Sequence, residues 1–219
     1  MAKEIGLNEE YVNEVIAEFN ADAANVLEEL TAKFNGVLKA LADNWGTNDA
    51  VKHVTDNVVP AFQKTGQQVA DMIKQIGTTV KTTAEKQAAD TNNSMSVNAP
   101  SVGQLGALNN VMKEKLDNGY IGVYEDLEKD VATAQEKLEK EVIEKLEKLK
   151  NKVVDKCKVA FKDDGSSVAN AADGFIAEVK AALQQGFATV KTDIDGLTQS
   201  ATQYARDIQA AGLRGGSSN

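Results

Sequence analysis

Few residues of this chain are equipped for chemistry. His53 is the only histidine and Cys157 the only cysteine. Asp49 and Asp56 flank His53 at helical distances, but a metal centre needs three or four ligands converging on one point. One imidazole between two scattered carboxylates falls short, and His53 reads as a half-exposed helix residue. Cys157, in "VVDKCKVAF", takes an apolar position in a helical pattern and reads as a small core side chain. No internal disulfide can form. The glycines of "GYIGV", residues 119–123, follow no strand and have no lysine in register, so they do not make a phosphate loop. Carboxylates are plentiful but spread over solvent faces. No catalytic residue, metal ligand or cofactor is therefore expected, and the chain reads as non-enzymatic.

Composition narrows the partners. The formal net charge is −9, which opposes binding to nucleic acid, whose phosphates require a basic face. No apolar run approaches the roughly 18 residues of a membrane span, so stable membrane insertion is not expected. Apolar residues make up 42% of the chain and aromatics only 5%. Aliphatic side chains must then fill the core. Two prolines in 219 residues favour long uninterrupted helices. The first thirty residues carry Glu4, Glu9, Glu10, Glu14 and Glu18 and lack the apolar centre of a signal peptide. The expected location is outside the cell without a cleavable leader, or the cytoplasm.

The elements follow from apolar period. Val12, Ile16, Phe19, Ala23, Leu27, Leu30, Phe34, Leu38, Leu41 and Trp45 step by three and four, one stripe of one helix. Asn8 is placed to cap its start. After Trp45-Gly46 a second stripe runs through Val51, Val54, Val58, Phe62, Val69, Ile73, Ile76 and Val80, with a kink expected at Pro60. The period is lost over "DTNNSMSVNAPSVGQLG", residues 90–106, which reads as a linker. A short helix is expected around "ALNNVMKEKL". A third stripe, from Ile121 to Phe161, carries Glu-first pairs four residues apart, such as Glu136/Lys140 and Glu141/Lys145. Its spacing allows a coiled-coil seam. A break at "KDDGSS" precedes the fourth stripe, Val168 to Ile208.

These patterns predict an all-α protein of four long antiparallel amphipathic helices. They form two helical hairpins, joined most simply into one elongated four-helix bundle. Hairpin 1 is expected over 1–91, with helices at about 8–44 and 48–90. The linker is 92–104. Residues 105–219 hold the short helix and hairpin 2, with helices at about 120–162 and 166–210 and a flexible tail at 212–219. Trp45 and Gly46 mark the first turn, Gly46 with the left-handed freedom that ends a helix; Gly165 marks the second.

An acidic helical hairpin with Trp and Gly at its turn resembles the WXG family of small type VII secretion substrates. Those are helical hairpins that dimerise into four-helix bundles. The likeness is best over residues 1–95, and a linked second hairpin would imitate the family's dimer within one chain. The family's Trp-x-Gly is here Trp45-Gly46. Its export signal, Tyr-x-x-x-Asp/Glu, is matched in spacing by Tyr124 to Glu128, and one residue short by Tyr204 to Asp207. The resemblance implies a secreted helical binding protein whose partners are proteins, either secretion machinery or a second copy. Two alternatives come from the residues alone. One is a cytoplasmic coiled-coil scaffold assembling through 120–161. The other is an amphipathic coat on a lipid or granule surface.

Overall fold

The computed structural model describes residues 8–46, 48–109, 122–123, 126–161 and 165–215. These are all-helical apart from one extended segment and one short pairing. Helix α1 spans Glu9–Asn44. Residues Trp45–Gly46 form β1. Then come α2, Asn48–His53, a π-helical turn over Val54–Val58, and α3, Val59–Asp90. Gly122–Val123 form β2, followed by α4, Leu127–Phe161, and α5, Gly165–Gly215.

The helices follow their apolar stripes except at the start of α4: the period predicts a helix from about 120, but Gly122–Val123 pair with Trp45–Gly46 and the helix begins at Leu127. Asn8 caps α1, its side-chain oxygen accepting the Tyr11 N–H at 3.3 Å, while Glu9 and Glu10 face the positive end of the helix dipole. The expected kink takes a specific form. Pro60 has no N–H, and its ring crowds the carbonyl four residues back. The chain widens just before it into the π turn, where the Val59 N–H reaches the Val54 carbonyl, five residues back.

The apolar stripes face one another. Phe19, Leu30, Phe34, Leu38 and Leu41 of α1 are fully buried, as are Phe62, Ile73 and Val80 of α3, Leu138 and Val142 of α4, and Val168 and Leu183 of α5. Phe34 stacks on Phe62 with ring centroids 4.4 Å apart, and Phe187 meets Phe62 edge-on at 6.1 Å. Three helices thus contribute to one aromatic layer, a favourable geometry for aromatic quadrupoles.

Helix α1 packs most extensively on α4, α3 on α5, and α4 on α5, with a smaller α1–α3 contact. The α1–α4 pair is antiparallel along its length. Asn44 meets Asp130 near one end; Glu29 meets Lys145 and Asp22 meets Lys152 in the middle; Glu18 meets Lys156 near the other. Each step forward on α1 is matched by an equal step back on α4. Helices α4 and α5 are antiparallel too, through Lys150–Asp173 and Glu139–Gln184.

Several expectations need correction. The four-residue spacing pairs Glu141 with Lys145 within one helix, yet Glu141 pairs with Lys33 and Lys145 with Glu29 of α1. Flank positions of an antiparallel seam offer a neighbour across the interface, and that neighbour competes with the one a turn away. The first turn is not a left-handed cap. Trp45 is extended, at φ −145° and ψ 106°, and among the described residues positive φ occurs only at Asn92 and Gly103. Trp45–Gly46 instead pairs antiparallel with Gly122–Val123. Helix α5 runs past 212 to Gly215, and the rest of the expected tail lies outside the described residues. Residues 107–109 of the expected short helix are extended, and the rest of it lies outside the described residues.

Candidate functional site

Trp45 is 3% exposed, closing the end of the α1–α3 hairpin. Its ring lies 6.3 Å from the His53 ring at 40°, and His53 Nδ1 is 3.1 Å from the Asn57 amide nitrogen. Beside it the buried Asn44 donates to the Ala40 carbonyl and to Asp130 Oδ2, both at 3.0 Å. The pairing to β2 therefore joins the first turn to the segment leading into α4. Gly165 opens α5. Glu128 is exposed in the first turn of α4. Tyr124 lies outside the described residues. Tyr204 and Asp207 lie on the backbone of α5, with side chains outside the description. The structure does not bring these tyrosines to the Trp45 corner by any described contact.

Cys157 is buried, and desolvation pushes its thiol up from 9.0 to about 12. It is an inert core residue, since nucleophilic sulfur requires the thiolate. Among the described residues no three His, Cys, Asp or Glu side chains converge as a metal site. A recess of about 520 Å³ between α1 and α4 is lined by Asp22, Glu28, Glu29, Lys145, Lys148 and Lys152. Lys145 and Lys152 there are already paired with Glu29 and Asp22. These pairings hold the Glu18 carboxyl, hydrogen-bonded by Lys156, and the Glu29 carboxyl, hydrogen-bonded by Lys145, below the usual 4.5.

A further polar site, which apolar period alone does not reveal, lies along the segment that follows α3. The segment read as a linker leaves α3 at Thr91 and runs extended as a strap along the α1–α3 hairpin. Its backbone is held by α1 side chains. The Ser96 N–H donates to the Glu9 carboxylate at 3.1 Å, Asn98 to Asn13 Oδ1 at 2.7 Å, and Ser101 to Asn20 Oδ1 at 2.8 Å. The Gly106 N–H donates to Thr31 Oγ1 at 2.9 Å and Asn109 to Asn35 Oδ1 at 2.7 Å. Two amides also work in reverse: Asn13 Nδ2 donates to the Ser96 carbonyl and Asn35 Nδ2 to the Ala107 carbonyl, each at 3.1 Å. Each of these asparagines thus clamps the carbonyl of one strap residue and the N–H of the residue two further on, as a neighbouring β-strand would. From α3, Lys81 Nζ donates to the Val97 carbonyl at 2.5 Å.

Below the backbone the fit is steric. Val97, Pro100 and Val102 are buried, and Met95, Leu105 and Leu108 half-buried. A Cβ on Gly66 would stand 2.6 Å from Leu105 Cδ2, and one on Gly77 2.7 Å from Pro100 Cβ. Both positions are notches that any side chain would fill. From Asn13 to Asn35 α1 rises about 33 Å, and the strap covers that length in residues 98–109, about 3 Å per residue, so it is an extended chain. Gly103 supplies the one positive φ, 80°, within it.

A signal for this site does exist in the sequence. Asn13, Asn20, Thr31 and Asn35 are separated by seven, eleven and four residues, which is two, three and one helical turns. Gly66 and Gly77 are glycines inside a helix, where glycine costs up to about 1 kcal/mol against alanine. No family model, no curated protein and no solved structure matches this chain.

Proposed function

We propose that the chain is a non-enzymatic helical binding protein of the WXG type, exported by a type VII route, whose two hairpins form one elongated four-helix bundle. The observation that carries the reading is the continuous antiparallel α1–α4 seam, from Asn44–Asp130 to Glu18–Lys156. That seam joins the two hairpins as the family's dimer interface joins two chains. Helix α5 supports it further. Extended by the α4–α5 register, Leu127 falls opposite about residue 196, so the part of α5 carrying Tyr204 and Asp207 runs on past the start of α4.

The alternatives draw less from the structure. Assembly through 120–161 would use an α4 stripe that is here buried against α1 and α5. A lipid coat needs an apolar face, and among the described residues Val159 is the one large hydrophobic side chain well exposed.

The test is fractionation of a bacterium with an active type VII system expressing the chain. The wild type should collect in the medium, and Tyr204→Ala should remain in the cells while keeping its helical circular dichroism. Wild-type protein held in the cells while a known substrate of that system is exported would end the reading.

A further inference from the structure

We propose that the groove between α1 and α3 is a binding site for an extended, uncharged polypeptide segment, which the chain's own residues 95–109 occupy in cis. This stands on the groove alone and does not depend on export.

Three observations carry it. Recognition is of backbone: eight hydrogen bonds reach strap N–H and C=O groups, from Glu9, Asn13, Asn20, Thr31, Asn35 and Lys81. Recognition of that kind accepts any sequence that can lie extended, with pockets adding preference, as in the addition of a strand to a sheet edge. The pockets are small and apolar, taking Val97, Pro100, Val102 and Leu105, with Gly66 and Gly77 as floor. The seated segment shows the chemistry of the occupant: residues 91–110 contain no charged side chain in a chain that is 26% charged.

Among the described residues the strap is also the part best placed to leave. Its seven α1 bonds are solvent-exposed, and it buries only three side chains, whereas the helices bury whole stripes. Exposed backbone bonds and few buried contacts mark the low end of local stability. A site occupied in cis binds an outside peptide only in the fraction of molecules whose strap is open, so its apparent affinity is lowered by that fraction.

The probe is a fluorescein-labelled peptide of sequence MSVNAPSVGQLGALN, followed by fluorescence anisotropy against the full chain. Val97→Asp with Val102→Asp should expel the strap and leave the groove intact. That variant is expected to bind the peptide at least about tenfold more tightly than the wild type. Adding Asn13→Ala and Asn35→Ala should abolish the gain, and a scrambled peptide should bind less. A helical Val97→Asp/Val102→Asp protein that takes up no peptide would overturn the proposal. Hydrogen exchange on the wild type provides an arm that needs no variant. The amides of Ser96, Asn98, Ser101, Gly106 and Asn109 should exchange at least about tenfold faster than the mid-α1 amides. Equal rates would make the strap a fixed part of the fold and would also overturn it, as would a wild-type dimer with exchanged straps.

Discussion

Pro100 of the strap sits directly over Gly77 of α3, where a Cβ would stand 2.7 Å from the proline Cβ and 2.6 Å from Phe19 Cε1. Both neighbours are rings, and Phe19 is 1% exposed, so neither can swing aside. Gly77→Ala gains about 1 kcal/mol of helix propensity but overpacks a filled site, at a cost of about 1–3 kcal/mol. The expected result is a net loss of stability in denaturant titration, with strap amides losing protection first. Gly36→Ala is the control. Apart from the local backbone of its own helix, nothing lies within 4 Å of its would-be Cβ, so the propensity gain should appear whole, as a Tm rise of about 2–4 °C.

The aromatic layer should dominate mutational sensitivity. Phe62 stacks on Phe34 and meets Phe187 edge-on, and it is 1% exposed. Phe62→Ala is expected to cost about 3–5 kcal/mol in urea unfolding. Phe62→Leu should cost less, because it keeps most of the volume.

Trp45, the only tryptophan, makes the corner its own reporter. Buried at 3% exposure, it should emit to the blue of its unfolded state, and that shift should be lost in the same transition as the helical signal if corner and helices unfold together. Trp45→Ala should destabilise by about 3–5 kcal/mol.

Cys157 gives a pH window. Its folded thiol is raised from 9.0 to about 12, so the native state holds the proton more tightly. Its contribution is complete below pH 9 and is lost as the pH rises towards 12. Cys157→Ala should flatten that fall. Native protein should react with Ellman's reagent at least about 100-fold more slowly than unfolded protein.

The α1–α4 seam sets behaviour in acid. The Glu18 and Glu29 carboxyls lie below 4.5 because Lys156 and Lys145 hydrogen-bond them. The stability they contribute is present above pH 4.5 and lost as the pH falls through the lowered values. Glu29→Lys should weaken the fold, and adding Lys145→Glu should recover part of the loss in a double-mutant cycle. Single exposed pairs contribute only about 0.2–1 kcal/mol, and 1 M salt should shrink the coupling.

How much of this was readable beforehand depends on the range over which each feature is encoded. Val12 to Leu41 and Val168 to Leu183 declare their helices through steps of three and four, a local rule that needs no partner. Asn8 announces its cap and Pro60 its disturbance in the same way, because both act on backbone within one turn. The π turn at Val54–Val58 was not spelled out, since the chain chooses among kink, bulge and break according to what packs around it.

The amino-acid order alone determined most of the helical spans and the apolar stripes they bury. Only the folded chain decided who meets whom: Glu141 with Lys33 rather than with Lys145, Trp45–Gly46 with Gly122–Val123, and Asn13 and Asn35 with the backbone of Ser96 to Asn109. Helical period repeats every few residues, so neighbours reveal it. Charge partners, strand pairing and amide clamps join residues about 70 to 130 positions apart, and such contacts exist only once burial of the stripes has fixed the distance and register between elements.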